Sequence, residues 1–435
     1  MHGGNLFLTK YLCSLSLPTY RSDPAMVVQS EYQHQQQLHP AVLELGRDFA
    51  QGTIRGGNAR CRAMLQTFIQ VLKDYVPPSA STTDYRTHLD QFVLKPSFTY
   101  WTTHCRPHSV SMGNAFTFLK SAVSSLDRDL PYDYGTMDQQ DGGAGGSNDG
   151  DVVNDIGDEN DTNDDDSACA KRLLLESIRQ FMQERLDYAD RAIAQHALSK
   201  IVKDDVLLTF GYSEVIHVLL ETAANELRGQ DGPSNKENKA YNSKQNSPFF
   251  VWVVDAAPLW EGRRMIEQLQ KLNIACGYCM LNALSFVMDQ KHVSKVFLGA
   301  SALMTNGSIF GRAGTAGVAL MAQDAHIPVL VCCETYKISN RVPQLESITY
   351  NELGNPDSLV LESSSASSTK ESEQVPASST LSDWKQVPNL KLLNLVYDVT
   401  PSGFVSGVVT EVGIIPPSSV AVLLREMNPQ DTALS

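Results

Sequence analysis

Phe249-Phe250-Val251-Trp252-Val253-Val254-Asp255 is a run of aromatic and β-branched residues closed by an acid. Such a run is too short for a core helix and carries no polar alternation, so it reads as a strand buried on both faces. The same grammar recurs at Asp205–Phe210, Lys295–Leu298, Ile327–Cys333 and Leu392–Asp398, with helix-length intervals between most of the runs. Apolar strands alternating with helices predict a parallel sheet covered on both sides. Residues 203–430 are therefore expected to form a Rossmann-like α/β domain.

Upstream the period changes from two to about 3.6. Cys61, Met64, Leu65, Phe68, Leu72 and Tyr75 recur at three- and four-residue steps, and Pro77-Pro78 end the pattern. A second face carries Ala115, Phe118, Leu119, Ala122 and Leu126; a third runs through Leu174, Ile178, Phe181, Leu186, Ala189, Ile193 and Ala197. The expected fold class is α/β, with an N-terminal helical domain over 38–202 followed by the Rossmann-like domain with its mostly parallel sheet. Residues 1–37 read as a disordered polar leader. Three low-complexity stretches, 138–166, 229–247 and 357–387, read as flexible insertions, because they hold too little apolar surface to offset the entropy of ordering.

Composition narrows the function classes. The 435 residues carry a net charge of −14, but the stretch Asp138–Asp166 alone holds eleven Asp and Glu and no Lys or Arg, leaving the remainder close to neutral. A near-neutral body argues against binding a nucleic-acid backbone, which requires a basic stripe. Eight cysteines in so long a chain, with Cys332 and Cys333 adjacent inside an apolar run, do not make a disulfide framework and fit a reducing compartment, the cytosol. No segment approaches the roughly 18 consecutive apolar residues of a membrane span.

The most pointed motif is the glycine-rich stretch Gly299–Gly317 after the Lys295–Leu298 strand. Gly307, Gly311, Gly314 and Gly317 either let backbone N–H groups cradle a phosphate that Arg312 neutralises, or permit close packing of helix on sheet. The spacing matches neither a P-loop nor G-x-G-x-x-G. Gly211 and Asp255 sit where a dinucleotide site places its glycines and ribose-binding acid, without the rest of that fingerprint. Cys276-Gly277-Tyr278-Cys279 lacks a second ligand pair for zinc and reads as a strand whose cysteines are buried packing residues. His104, Cys105 and His108 show no third group to orient a nucleophile.

Larger motifs carry a resemblance. They are Gly57-Asn58-Ala59-Arg60-Cys61, Cys105-Arg106-Pro107 running to Asn114-Ala115, and Val254-Asp255 with Leu259-Trp260-Glu261-Gly262-Arg263. The glycine-rich stretch, Cys332-Cys333-Glu334-Thr335-Tyr336-Lys337 and Tyr397-Asp398-Val399-Thr400-Pro401 complete the set. Over about residues 39 to 425, insertions apart, the chain is similar to delta-type members of the alpha/beta/delta subunit family of eukaryotic translation initiation factor 2B. The resemblance implies a regulatory, non-catalytic subunit of the guanine-nucleotide exchange factor for initiation factor 2, with no cofactor and no metal. It implies as partners the alpha, beta, gamma and epsilon subunits of that factor and the alpha subunit of initiation factor 2, whose phosphorylated form it would sense.

That family shares its fold with ribose-1,5-bisphosphate and methylthioribose-1-phosphate isomerases, which supply the alternative of a sugar-phosphate isomerase or a sugar-phosphate-binding homo-oligomer. Those enzymes move a proton with a Cys and an Asp. Here Thr209–Glu214 contains no Cys, and Ser301 stands where the isomerases place the Asp. By the same analogy Asn306, Arg312 and Asp398 form a vestigial anion pocket, while Arg60, Arg106 and Asn114 are partner-facing or structural. Ala257 replaces the arginine usual in the family.

Overall fold

Pro40 and Gly52 bracket the first described helix for local reasons. Proline suits a first helical turn, where its missing N–H is not needed, and Gly52 adopts the left-handed conformation (φ 69°) that closes helix α1, Pro40–Gln51. The computed structural model describes residues 38–76, 85–129, 160–230, 247–339, 351–360, 381 and 383–427. They divide into two compact units, Leu38–Tyr188 and Ala189 onward. The expected leader, residues 1–37, lies outside the described residues.

In the first unit, α2 (Gly57–Asp74) buries Cys61, Met64, Leu65, Phe68 and Leu72, as its periodicity predicts. Tyr75 lies just beyond the helix in extended backbone. A helical stretch from Tyr85 to Cys105 has no counterpart in the sequence periodicity. It alternates α-helical turns (Tyr85–His88 and Lys95–Thr99) with π-helical ones (Leu89–Leu94 and Tyr100–Cys105). Wider turns scatter the buried positions Leu89, Leu94, Ser97, Tyr100 and Trp101 away from a 3.6 period, so the pattern is not visible in sequence.

Trp101 is the centre of this unit's core. It meets Phe49 and Phe68 edge-on, with centroids 6.3 and 5.1 Å apart, and its indole N–H donates to the Val42 carbonyl at 2.8 Å. The helix Val110–Asp129 buries Ala115, Leu119 and Leu126 as expected, together with Phe116 and Val123.

The third predicted helical face is broken by a π-helical segment, Met182–Tyr188, between Asn160–Phe181 and the next helix, Ala189–Leu198. The latter, called α7 here as the seventh α-helical segment, packs with the sheet unit, which moves the boundary from residue 202 to 188. Its apolar Ala189, Ile193 and Ala197 satisfy either neighbour equally well in sequence. The helix Asn160–Phe181 begins within the last part of the acidic stretch.

The second unit holds a seven-stranded sheet in the order β11-β10-β7-β4-β1-β2-β3. The strands are β1 Val206–Phe210, β2 Phe250–Asp255, β3 Ala275–Met280, β4 Lys295–Gly299, β7 Val329–Cys332, β10 Gly407–Thr410 and β11 Gly413–Ile415. All neighbours are parallel except β10 with β11. Alternate residues feed two apolar layers. Leu207, Val251, Phe297 and Leu330 enter one, while Leu208, Val254, Leu298 and Val331 enter the other. The mostly parallel sheet read from the Phe249–Asp255 run is thus present.

Two expectations fail locally. The Leu392–Asp398 run does not join the large sheet; its end forms β9 (Tyr397–Thr400) in a separate four-stranded sheet with β5 (Ala302–Met304), β6 (Ile309–Arg312) and β8 (Ile338–Ser339). The ends of the 357–387 insertion are also tied together. Asp357 accepts hydrogen bonds from Trp384 Nε1 at 3.0 Å and Lys385 Nζ at 2.9 Å, so this insertion is closed by a polar clasp that its composition concealed. Residues 361–380, like 130–159 and 231–246, lie outside the described residues. Among those described, no helix is long and apolar enough to cross a membrane.

Candidate functional site

In a parallel sheet, side-chain chemistry collects beyond the carboxyl ends of strands. Here β1 and β2 end side by side, and the chain after each lines a cleft of about 370 Å³, open to solvent. Phe210 and Gly211 come from β1, Asp255 to Leu259 and Glu261 from β2 and the turn after it, and Arg312, Ala313, Leu395 and Val396 from beside the small sheet.

Arg312 is the cation of the predicted anion pocket, and it is already paired. Its Nη2 donates to Glu261 Oε1 at 2.7 Å, with both side chains mostly buried, and its guanidinium lies over the Tyr397 ring at 5.2 Å. Asp398 does not face this arginine as a partner. Its Oδ2 instead accepts the backbone N–H groups of Gly314 at 2.7 Å and Ala316 at 3.0 Å. These groups begin helix α11, Thr315–Asp324, where unpaired N–H donors and the helix dipole would otherwise favour a phosphate. Burial pushes the Asp398 carboxyl up to about 6, although both backbone bonds work the other way.

Asn306 stands apart. It is exposed, and its side-chain oxygen accepts the Ser308 N–H at 3.0 Å within the β5–β6 turn. Neither it nor Asp398 lines the cleft. The glycine-rich stretch is therefore a hairpin leading into a helix. Gly314 takes a φ of 112° beside Phe210, where an added Cβ would come within 2.6 Å of the ring, and Gly307 has a φ of 78° against the Pro417 backbone. At these two positions glycine serves close packing and positive φ.

The other candidates resolve into structural contacts. Asp255 accepts from Tyr278 Oη at 2.8 Å and from the Ala256 N–H at 2.9 Å at the edge of the cleft. Cys276 and Cys279 are half-buried, more exposed than expected, because β3 is an edge strand; they point into opposite apolar layers, and burial raises both thiols, Cys279 to about 11. Burial likewise lifts Cys105 to about 11, so no thiolate nucleophile is prepared there. Arg60 is buried and donates to the Pro107 carbonyl, with its guanidinium 5.5 Å from the Phe49 ring centroid, so it fastens the Arg106-Pro107 turn from inside. Arg106 and Asn114 are half-buried. No cluster of three or more metal-ligating side chains occurs among the described residues.

Isomerase chemistry would need a proton donor and acceptor at the strand ends. The loop after β1 offers Gly211-Tyr212-Ser213, and Ser301 donates its backbone N–H to Phe310 at the start of the small sheet. Neither supplies a thiol or a carboxylate. The residue missed in sequence is Glu261. It lies inside a quoted motif, but its partner is 51 positions away, so the pairing has no local signature.

Comparison with known proteins agrees with this geometry. A model of the initiation factor 2 subunit family matches residues 53–417. Translation initiation factor eIF2B subunit delta from Dictyostelium discoideum is 34% identical over 413 residues, 94% of this chain and 55% of that protein. The Schizosaccharomyces pombe delta subunit is also 34% identical, over 89% of this chain and 69% of its own length. Ribose 1,5-bisphosphate isomerase from Pyrococcus furiosus is 24% identical over 61% of this chain and 69% of that enzyme. This chain thus spans little more than half of the first of these relatives. Among solved structures, a chain of the tetrameric eIF2B-beta2-delta2 complex from C. thermophilum superposes with a TM-score of 0.61 at 26% identity, over 87% of this chain and 93% of that one. With the mostly parallel sheet, the motifs and these matches in agreement, the chain belongs to the initiation factor 2 subunit family.

Proposed function

We propose that this protein is a regulatory, non-catalytic subunit of the guanine-nucleotide exchange factor for initiation factor 2, scaffolding the complex and sensing phosphorylated initiation factor 2 in the cytosol. The observation that carries the non-catalytic reading is that the two anion-holding devices near the strand ends are filled from within: Arg312 by Glu261, and the start of α11 by Asp398. A site arranged this way keeps its architecture without a ligand.

Assembly is supported by apolar exposure beside the cleft. Leu353 and Leu395 pair across an antiparallel bridge and are 43% and 41% exposed, and Leu393 is 54% exposed. Neighbouring exposed leucines of this kind suit a subunit interface. The partners would be the alpha, beta, gamma and epsilon subunits and the alpha subunit of initiation factor 2, with the helical unit contacting the latter. Native mass spectrometry of the chain, tagged and purified gently from its own cells, should give a complex with four other subunit types and initiation factor 2. A homo-oligomer free of them would overturn the reading, as would turnover of ribose-1,5-bisphosphate by the purified chain.

One atom favours a second reading, a sugar-phosphate-binding module: Arg312 Nη1 is buried and meets no hydrogen-bond partner among the described residues. Calorimetry with a sugar phosphate decides it, since binding that Arg312→Ala abolishes would sustain it and absence of binding would remove it.

A further inference from the structure

The two sides of the seven-stranded sheet are finished differently. On one side α7, α8 (Glu214–Gln230) and α9 (Glu261–Lys271) cover the layer that holds Leu207, Val251 and Phe297. Outward positions of these helices are polar, such as Gln195, Glu226, Arg264 and Lys271, and among the described residues no large apolar side chain is exposed on them. On the other side α10 (Leu284–Gln290), α11 and α12 (Val420–Met427) cover the layer that holds Leu208, Val254 and Leu298. Each of these three shows a large apolar side chain to solvent: Phe286 is 61% exposed, Leu320 49% and Val422 52%.

The strands near the β3 edge repeat the asymmetry. Phe250 and Trp252 alternate with Val251, so they share the second side with Val254. Their ring centroids are 5.4 Å apart, and both residues stay half-buried. Trp252 pairs in register with Gly277 of β3, where an added Cβ would come within 2.5 Å of the indole. A lone exposed apolar side chain is ordinary on a protein surface. Three exposed and two half-buried on one side of a sheet, against polar outer positions on the other, mark a face that awaits a cover.

We propose that this side of the sheet docks a Rossmann-like unit of a different, related chain, with Phe286, Leu320, Val422, Phe250 and Trp252 as its anchors. The proposal rests on the subunit reading above. Composition selects the occupant. Aromatic and aliphatic anchors match an apolar protein surface of the kind found in permanent subunit contacts. The exposed charges on the three helices are Asp289, Asp324 and Glu426 against Arg425, with Lys291 just past α10, which makes the surround weakly acidic. A second copy of this chain would set acids against acids, whereas a related chain with a basic surround complements them.

The test uses the complex the full chain forms in its own cells. With Phe286 replaced by the photo-cross-linker benzoylphenylalanine, irradiation should join the chain to a related subunit, through a peptide in that subunit's sheet unit. Phe286→Glu combined with Leu320→Glu should weaken association with that subunit by about a hundredfold, while thermal unfolding of the chain stays unchanged because both side chains are exposed. Gln195→Glu combined with Gln270→Glu, on the polar side, should leave the complex intact. A complex that survives the Phe286 and Leu320 changes, or a cross-link elsewhere or to nothing, would overturn the docking face and leave the subunit reading standing. A cross-link between two copies of this chain would overturn the choice of occupant. A chain that purifies with no related subunit would overturn the subunit reading and the docking face together.

Discussion

Arg312 and Lys337 are both enclosed cations of the sheet unit, yet they sit in opposite settings. Arg312 lies at the edge of an open cleft, with 17% of its side chain exposed, paired with Glu261 and with Glu352 adding negative potential. Lys337 is 6% exposed by the same measure and faces a fully buried Glu334. Around Arg312, solvent can relax a mismatch. Around Lys337, charge has to balance inside the protein. A cleft where a ligand could enter has thus been neutralised by a pair that water can still reach, while the closed end of β7 depends on strict charge matching.

Removing Glu334 tests the contrast most severely. Glu334→Ala strands the Lys337 ammonium without its partner and should destabilise the chain by about 3–5 kcal/mol, the range for breaking a buried pair; urea unfolding at pH 7 measures it. Glu261→Gln should be milder, about 1–2 kcal/mol, because Arg312 keeps a neutral hydrogen-bond acceptor and some solvent. It should also give the cleft a measurable affinity for inorganic phosphate by calorimetry. An equal loss in the two variants would erase the distinction between open and closed sites.

Asp398 provides a finer comparison, because its carboxyl is raised to about 6 while bonded to the start of α11. Between pH 4 and 6 the folded chain holds the extra proton, so the unsubstituted protein should lose stability relative to Asp398→Asn across that window and run parallel to it above pH 7. Thermal unfolding from pH 4 to 8 displays the change. The smallest effect belongs to the surface. Lys385→Ala opens an exposed contact with Asp357 and should cost less than about 1 kcal/mol, diminishing with added salt.

These comparisons also separate what was readable in the residues from what was not. The runs at Asp205–Phe210 and Phe249–Asp255 announce their strands because burial on both faces leaves no polar alternation to interpret. The helices around Cys61–Leu72 and Ala115–Leu126 announce themselves by period. Tyr85–Cys105 does not, since π-helical turns displace Trp101 and its neighbours from that period. Arg312 and Asp398 could be singled out by motif, but their engagement with Glu261, Gly314 and Ala316 could not.

The amino-acid sequence by itself determined the mostly parallel sheet, the helical first half and the family, because these depend on local period and on residue identity. The tertiary structure alone decided that α7 belongs with the sheet, that Tyr397–Thr400 joins a second sheet, and which carboxylate answers each buried cation. Arg312 meets Glu261 across 51 positions, and Asp398 reaches Gly314 across 84. Electrostatic pairing depends on distance in space, and chain folding brings such residues together without leaving a mark in the sequence between them.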